Sequence, residues 1–84
     1  MRYEVFLLPR AQKDLNKFKG KELSKLCKFI SNLSENPRLV GSVKLTGDGG
    51  YRIRAGVYRI LYRIDDSGKK VYVYRVRHRR EVYR

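Results

Sequence analysis

The residues best suited to chemistry are four arginines in the segment GYRIRAGVYRILYRI, residues 50–64. They are Arg52, Arg54, Arg59 and Arg63, and each has apolar or tyrosine neighbours in the chain. A guanidinium group is a planar cation that binds phosphate through two parallel hydrogen bonds and stays protonated at neutral pH. The segment therefore predicts a surface that binds phosphate or another anion, whose charge would relieve the repulsion between the arginines.

The spacing of this segment is typical of a β-hairpin, in which successive side chains point to opposite faces. If Ala55-Gly56 forms a two-residue loop, Arg52 lies directly opposite Arg59, and Arg54 lies diagonally between them. Like charges opposite each other on neighbouring strands destabilise a sheet by up to about 1 kcal/mol. The other face is apolar or aromatic and is predicted to pack on helices; it comprises Tyr51, Ile53, Tyr58, Ile60, Tyr62 and Ile64.

A second group of basic residues lies near the C-terminus, where Arg75 and Arg77 alternate with valines in the segment 70–77. A four-residue loop before this segment would turn both arginines toward the helices. A five-residue loop with Gly68 in a bulge would place them beside Arg59. We predict the second arrangement, because burying unpaired charge is costly. The tail HRREVYR then adds three residues at the edge of the arginine face, namely His78, Arg79 and Tyr83.

The overall charge supports a polyanionic partner. Lysine and arginine together number 21 against 8 acidic residues, which gives a formal net charge of +13. Such an excess favours association with nucleic acid or with an acidic protein. Residues 1–42 carry six lysines and three arginines, whereas residues 43–84 carry nine arginines and three lysines. The second half is therefore the predicted anion-binding half, while the helical stripe of Lys21, Lys25 and Lys28 is either a solvated helix face or an accessory RNA contact.

Several functional classes are disfavoured by the composition. Cys27 is the only cysteine and His78 the only histidine, so the chain lacks an internal disulfide framework and a thiol–imidazole zinc cluster. We expect no metal and no cofactor. The apolar run near the N-terminus is short and is interrupted by Glu4 and Pro9, so we expect neither a signal peptide nor a membrane segment. A cytoplasmic location is the expectation.

The hydrophobic periodicity predicts one α+β domain over residues 1–84. A strand over 3–8 precedes helices over 10–18 and 21–35, and a short strand over 43–45 follows. Three further strands form an antiparallel meander, at 51–54, 57–64 and 70–77. The predicted architecture is therefore an N-terminal strand, two helices and a three-strand antiparallel meander, with the helices packed on one face of the sheet.

These elements, together with an Asn-Pro-Arg loop and the motifs "VKLTG", "GYRIRAGVYRILYRID" and "HRREVYR", resemble the RelE/ParE superfamily of toxins from type II toxin–antitoxin systems. The resemblance spans nearly the whole chain and is strongest to the RelE branch. It implies a ribosome-dependent, metal-independent endoribonuclease that cuts mRNA in the A site. In that reaction the 2′-hydroxyl attacks the adjacent phosphate, leaving a cyclic phosphate and a 5′-hydroxyl.

The resemblance also implies which residues carry the reaction. The basic catalytic positions of the family fall on Arg52, Arg54, Arg59 and Arg79, and its C-terminal tyrosine falls on Tyr83. Cations suit the negative charge that develops on phosphorus, and a tyrosine suits stacking on a base. RelE has lysines where this chain has Arg52 and Arg54, and arginine does not release a proton to act as a base. Histidine titrates near neutral pH, so His78 becomes the acid–base candidate; the alternative is that the ribosome supplies orientation and proton transfer, and that the toxin contributes electrostatic stabilisation alone.

The resemblance implies two partners, which are mRNA on the ribosome and a small acidic antitoxin that neutralises the toxin. Two alternatives remain open at this point. One is a toxin of the ParE kind, which inhibits DNA gyrase without cutting nucleic acid. The other is a catalytically inactive RNA-binding relative.

Overall fold

The computed structural model describes residues 2–38, 42–45 and 50–78. Within these ranges, two helices and five strands follow one another in the order β1 (Glu4–Leu7), α1 (Pro9–Leu15), α2 (Gly20–Glu35), β2 (Ser42–Lys44), β3 (Tyr51–Ala55), β4 (Tyr58–Asp65) and β5 (Lys70–His78). The strands form one sheet in the order β1-β5-β4-β3-β2. The α+β class and the sequence of elements predicted above are confirmed.

The sheet differs from the prediction in two details. Antiparallel pairing runs from β2 through β5, so the meander has four strands rather than three. The N-terminal strand β1 pairs in parallel with β5, which makes the sheet mixed. Both helices lie in the connection between β1 and β2, which are the two edges of the sheet. The last strand is therefore internal, as its apolar residues on both faces indicate.

The helix boundaries follow from local chemistry. Pro9 occupies the first position of α1, where its missing N–H costs nothing. This helix ends earlier than predicted, because the amides of Lys17 and Phe18 donate to carbonyls three residues back and tighten the chain into a turn. The longer α2 ends as predicted at Asn36, whose extended backbone is what a following proline favours.

The core lies between the two helices and one face of the sheet. Leu26 and Leu33 of α2 and Ala11 of α1 are almost completely buried there. They pack against the sheet residues Ile53, Ile60, Tyr62, Val71, Val73 and Val76. The Tyr62 hydroxyl donates a 2.6 Å hydrogen bond to the Pro37 carbonyl, so its buried polar atom has a partner. The apolar face predicted for β3 and β4 is thus the face that the helices cover.

A polar cluster ties the segment after α2 to the turn between β4 and β5. The Arg38 guanidinium donates to both carboxylate oxygens of Asp66, at 3.0 and 2.8 Å. The Tyr3 hydroxyl donates to the same carboxylate at 2.8 Å. The hydrogen bonds from Arg38, and after them the one from Tyr3, lower the pKa of Asp66 from 3.8 to about 2. While Asp66 is charged, the cluster therefore links the residue before β1, the segment after α2 and the turn between β4 and β5.

Two negative findings apply to the described residues. None of the helices there has both the length and the apolar character needed to cross a membrane. No three histidine, cysteine, aspartate or glutamate side chains in those ranges come close enough together to hold a metal ion.

Candidate nucleic-acid interface

Three arginines form a row across the face of the sheet that the helices leave open. Arg54 on β3 lies opposite Arg59 on β4, and Arg59 lies opposite Arg77 on β5. Residues directly opposite in an antiparallel pair have Cβ atoms about 5 Å apart. In the next row, Arg52 and Arg75 flank Leu61. We call these five arginines the arginine surface: Arg52, Arg54, Arg59, Arg75 and Arg77.

The register of the β3–β4 hairpin corrects one prediction. Arg52 lies opposite Leu61, and it is Arg54 that lies opposite Arg59. The loop consists of Gly56 and Val57 rather than Ala55-Gly56, because positive φ is needed at the first loop position. Gly56 supplies it with φ +67°, as in a type II′ turn. This shifts the pairing by two residues, so the arginines keep their predicted face.

The turn between β4 and β5 also differs, although the predicted faces of Arg75 and Arg77 are reached. Asp65 pairs with Lys70, so the loop has four residues, and its positive φ is at Lys69. The extra residue lies further along, at Tyr74, where the register shifts between Leu61 and Tyr62. This bulge, not the loop, rotates the end of β5 so that its arginines join the arginine surface.

The members of the arginine surface differ in exposure. Arg54 is exposed, whereas Arg52 and Arg77 are half-buried. Arg59 is only 1% exposed, and its Nη1 donates to the Tyr58 carbonyl at 3.4 Å. A phosphate approaching from solvent would therefore meet Arg54 first and the half-buried Arg52 and Arg77 after it. A buried cation beside them adds positive potential without competing for the ligand's hydrogen bonds.

Arg75 has a structural partner. Its guanidinium donates to Asp14 of α1 through Nε at 2.9 Å and Nη2 at 3.3 Å. The Val76 amide donates to the same carboxylate at 2.9 Å. Burial would raise the pKa of Asp14, but the hydrogen bonds from Arg75 and the Val76 amide outweigh it, and the pKa is lowered. Arg75 is thus held at the edge of the surface by an ion pair.

Asp14 was missed by sequence reasoning, although a signal existed. It stands within the apolar stripe of α1, three residues after Ala11 and next to Leu15. All three side chains are buried. An acid among buried apolar residues needs a charged or hydrogen-bonding partner from another element. The sequence could not say that the partner would be β5.

Among the other predicted site residues, those that the structure describes do not lie at the arginine surface. His78 lies opposite Tyr58, on the face that the helices cover, and its ring meets that of Tyr58 edge-on at 5.5 Å. The lysine stripe of Lys21, Lys25 and Lys28 is exposed on α2, in the helix layer. Arg79 and Tyr83 lie outside the described residues.

A groove in the described part of the chain lies away from the arginine surface. It measures about 780 Å³ and runs between β1 and α2, lined by Val5 and Leu7 on one side and by Cys27 and Ile30 on the other. Its lining is mainly apolar, and the sheet separates it from the arginine surface. The groove and the arginine surface therefore suit different ligands.

Comparison with known proteins relates this chain to toxins of toxin–antitoxin systems. The sequence profile of a family described as "ParE toxin of type II toxin-antitoxin system, parDE" matches residues 5–83. Toxin RelG of Mycobacterium tuberculosis is 37% identical over 86 residues, which cover 100% of this chain and 99% of RelG.

Solved structures show the same fold. The toxin–antitoxin complex RelBE2 of Mycobacterium tuberculosis contains a chain that is 35% identical, with a TM-score of 0.84 and coverage of 94% of this chain and 100% of that one. RelE in an archaeal RelE–RelB complex from Pyrococcus horikoshii is 26% identical, with a TM-score of 0.81 and coverage of 94% and 97%. A doubly substituted RelE from Escherichia coli in the free state is 30% identical, with a TM-score of 0.77 and coverage of 99% and 92%. The chain described here is thus a toxin of a type II toxin–antitoxin system and belongs to the RelE/ParE superfamily.

Proposed function

We propose that this toxin is a ribosome-dependent endoribonuclease that cuts mRNA in the A site without a metal ion. The observation that carries the proposal is the row formed by Arg54, Arg59 and Arg77, in which the cross-strand neighbours of a cation are cations. Such a row concentrates positive charge on one face of the sheet, and guanidinium groups bind phosphate. The similarity to RelE proteins makes mRNA the expected anion.

The reaction requires charge stabilisation, which arginines can provide. The 2′-oxygen bonds to phosphorus, the bond from phosphorus to the 5′-oxygen breaks, and a cyclic phosphate forms. The 2′-hydroxyl loses its proton and the leaving 5′-oxygen gains one. Negative charge grows on the phosphoryl oxygens in between, and preorganised cations lower the energy of that state. Arg54 is the exposed member of the surface, Arg52 and Arg77 are half-buried, and Arg59 adds buried charge beside them.

Arginines stay protonated, so the residues of the arginine surface do not transfer the protons of this reaction. His78 faces the helix side in the described structure, so the arginines rather than His78 carry the proposal. Arg79 and Tyr83 remain the proposed groups for the leaving oxygen and for stacking on a base. Lys21, Lys25 and Lys28 remain proposed accessory RNA contacts, made from the opposite layer. The ribosome is the proposed source of orientation for the attacking hydroxyl, and it is also the proposed acceptor of the 2′-hydroxyl proton and donor of a proton to the leaving 5′-oxygen.

Mapping of messenger ends in a translating system tests the proposal. We expect cuts within A-site codons, with undiminished cleavage when a chelator is added at a level that ribosomes tolerate. Removal of one transition-state donor typically lowers the rate about 10²- to 10³-fold, so Arg54→Ala should have an effect of that size. Arg10→Ala removes the same charge from an exposed position on α1 and should cleave normally. Intact messenger with the unsubstituted protein would refute the proposal.

A second assay addresses His78. We expect His78→Gln to keep cleavage within a few-fold of the unsubstituted protein, because its ring lies on the helix side of the sheet. A loss as large as that of Arg54→Ala would assign the acid–base role to this histidine.

The gyrase alternative has one specific observation in its favour, which is that the matching family profile is that of ParE toxins. A supercoiling assay with purified gyrase separates the two functions. Inhibition of supercoiling with intact messenger would favour the ParE-like activity. The antitoxin partner is expected under both, since solved relatives include toxin–antitoxin complexes.

A further inference from the structure

The open face of the sheet carries a second feature beside the arginine surface. Phe6 on β1 lies next to Tyr72 on β5, and their rings stack with centroids 5.5 Å apart and planes inclined by 19°. Tyr74, the bulged residue, is close by. All three side chains are half-buried, and none belongs to the core or packs against it. We call Phe6, Tyr72 and Tyr74 the aromatic platform.

Cations lie over the rings of this platform. The Lys70 Nζ is 5.9 Å from the centre of the Phe6 ring, and the Arg63 Cζ is 5.5 Å from the centre of the Tyr74 ring. Arg63 is also the cross-strand neighbour of Tyr72. Rings with cations beside them are the combination that proteins use for single-stranded nucleic acid, in which bases stack on rings and cations neutralise phosphates.

The platform is continuous with the arginine surface. Arg63 follows Arg59 by four residues on β4, which is about 13 Å along a strand, and the apolar Leu61 lies between them on the same face. In the described part of the sheet, the acids on this face are Glu4 and Asp65, which lie in the row next to the platform on the side away from the arginine surface. The Asp65 carboxylate accepts hydrogen bonds from Ser67 and from the Gly68 amide, so it is turned toward its own loop.

We propose that the aromatic platform binds bases of single-stranded RNA next to the phosphate held on the arginine surface. This inference rests on the proposed function and extends it to a second subsite. Stacking on a ring tolerates any base, so the platform would add affinity without reading sequence. An apolar peptide helix would need a groove to bury its side chains, whereas the platform is part of an open sheet face. Single-stranded RNA therefore suits it better than a protein segment.

The test measures binding of a short single-stranded RNA whose 2′-hydroxyls are methylated so that it cannot be cut. An abasic strand of the same length and charge serves as the comparison ligand. Tyr72→Leu should weaken binding of the RNA about 5- to 150-fold, the range given by 1–3 kcal/mol per stacked base. Binding of the abasic strand should be unchanged. Phe6→Leu should act in the same direction.

Matched variants separate stacking from folding. Tyr72→Phe keeps the ring and should bind like the unsubstituted protein. Tyr3→Leu removes another ring that has a lysine over it, the Lys69 Nζ at 5.2 Å, but on the helix side of the sheet. It should leave RNA affinity unchanged. Circular dichroism establishes that each variant is folded before its affinity is compared.

Three outcomes would overturn the inference. They are unchanged RNA affinity in folded Tyr72→Leu, an equal loss for RNA and for the abasic strand, and an equal loss for RNA and for polyglutamate. The last would make the platform a docking surface for acidic protein. Arg54→Ala distinguishes this failure from failure of the proposed function. If it weakens RNA binding while Tyr72→Leu does not, only the platform is refuted; if Arg54→Ala has no effect, the proposed function fails as well.

Discussion

At the scale of single residues, the row of Arg54, Arg59 and Arg77 affects the stability of the sheet and the binding of anions in opposite directions. Arg54 lies opposite Arg59, a buried cation that in turn lies opposite Arg77. Adjacent like charges destabilise a sheet, and a bound phosphate reverses that cost by supplying the opposite charge. Arg54, the exposed member of the row, is the position at which the two effects can be separated.

Arg54→Thr tests this conflict. Threonine suits a strand and removes one like charge, so the free energy of unfolding should rise by about 0.2–1 kcal/mol. Affinity for RNA should fall in the same variant. Urea denaturation measures the first effect and RNA titration the second. Arg10→Thr, on the exposed face of α1, should not raise stability, and a drop in stability for Arg54→Thr would contradict the interpretation.

At the scale of elements, α1 acts in place of an edge strand. Parallel pairing of β1 with β5 ends at Val73, whose carbonyl accepts from the Leu8 amide, because Pro9 turns the chain into the helix. Beyond that point no strand among the described residues lies at this edge of β5, and Asp14 accepts the hydrogen bond of the Val76 amide. The helix thus fixes the part of β5 that carries Arg75 and Arg77.

Asp14→Asn should loosen this attachment. The substitution removes the charge that pairs with Arg75, and a hydrogen bond to a charged group contributes about 1.5–3 kcal/mol. We expect the free energy of unfolding to fall by that amount and the Val76 amide to exchange hydrogen faster. Denaturation and amide exchange measure these effects. Glu35→Gln breaks the exposed pair with Arg2 and should cost well under 1 kcal/mol. Equal effects of the two substitutions would show that Asp14 has no special role.

At the scale of the whole molecule, stability depends on two carboxylates that join distant segments. The pKa of Asp66 is lowered to about 2 by Arg38 and Tyr3, and that of Asp14 is lowered by Arg75 and the Val76 amide. A carboxyl group whose pKa is lower in the folded state stabilises the fold above its unfolded pKa. That stabilisation is lost as the pH falls through the folded pKa.

The toxin should therefore lose stability between about pH 4 and pH 2, the interval that the unfolded and folded pKa values of Asp66 define. Asp66→Asn should lower stability at neutral pH and flatten the fall over that interval. Denaturation curves at several pH values measure both. Growing positive charge destabilises both proteins at low pH, so the difference between them is the informative quantity. An unchanged difference across the interval would contradict the assigned role of Asp66.

Much of this fold could be predicted from local patterns. The stripe of α2, its end before Pro37 and the apolar face of β3 and β4 depend on residues close together in the chain. The hairpin register was wrong by two residues, because the pattern does not show which loop position requires the positive φ of Gly56. The bulge at Tyr74 was also missed, although the energetic argument against burying Arg75 and Arg77 under helices predicted the correct face.

The sequence by itself determined the elements, the charge and the face on which the arginines of β3 and β4 lie, because alternation along a strand is a local property, whereas the face of Arg75 and Arg77 depends on the bulge at Tyr74. The tertiary structure decided which arginines are neighbours, that Arg59 is buried and that Arg75 is paired with Asp14. It also placed His78 on the helix side and brought Phe6 onto Tyr72. These depend on the pairing of strands distant in sequence and on the packing of α1 against β5, where contacts between remote residues set the geometry.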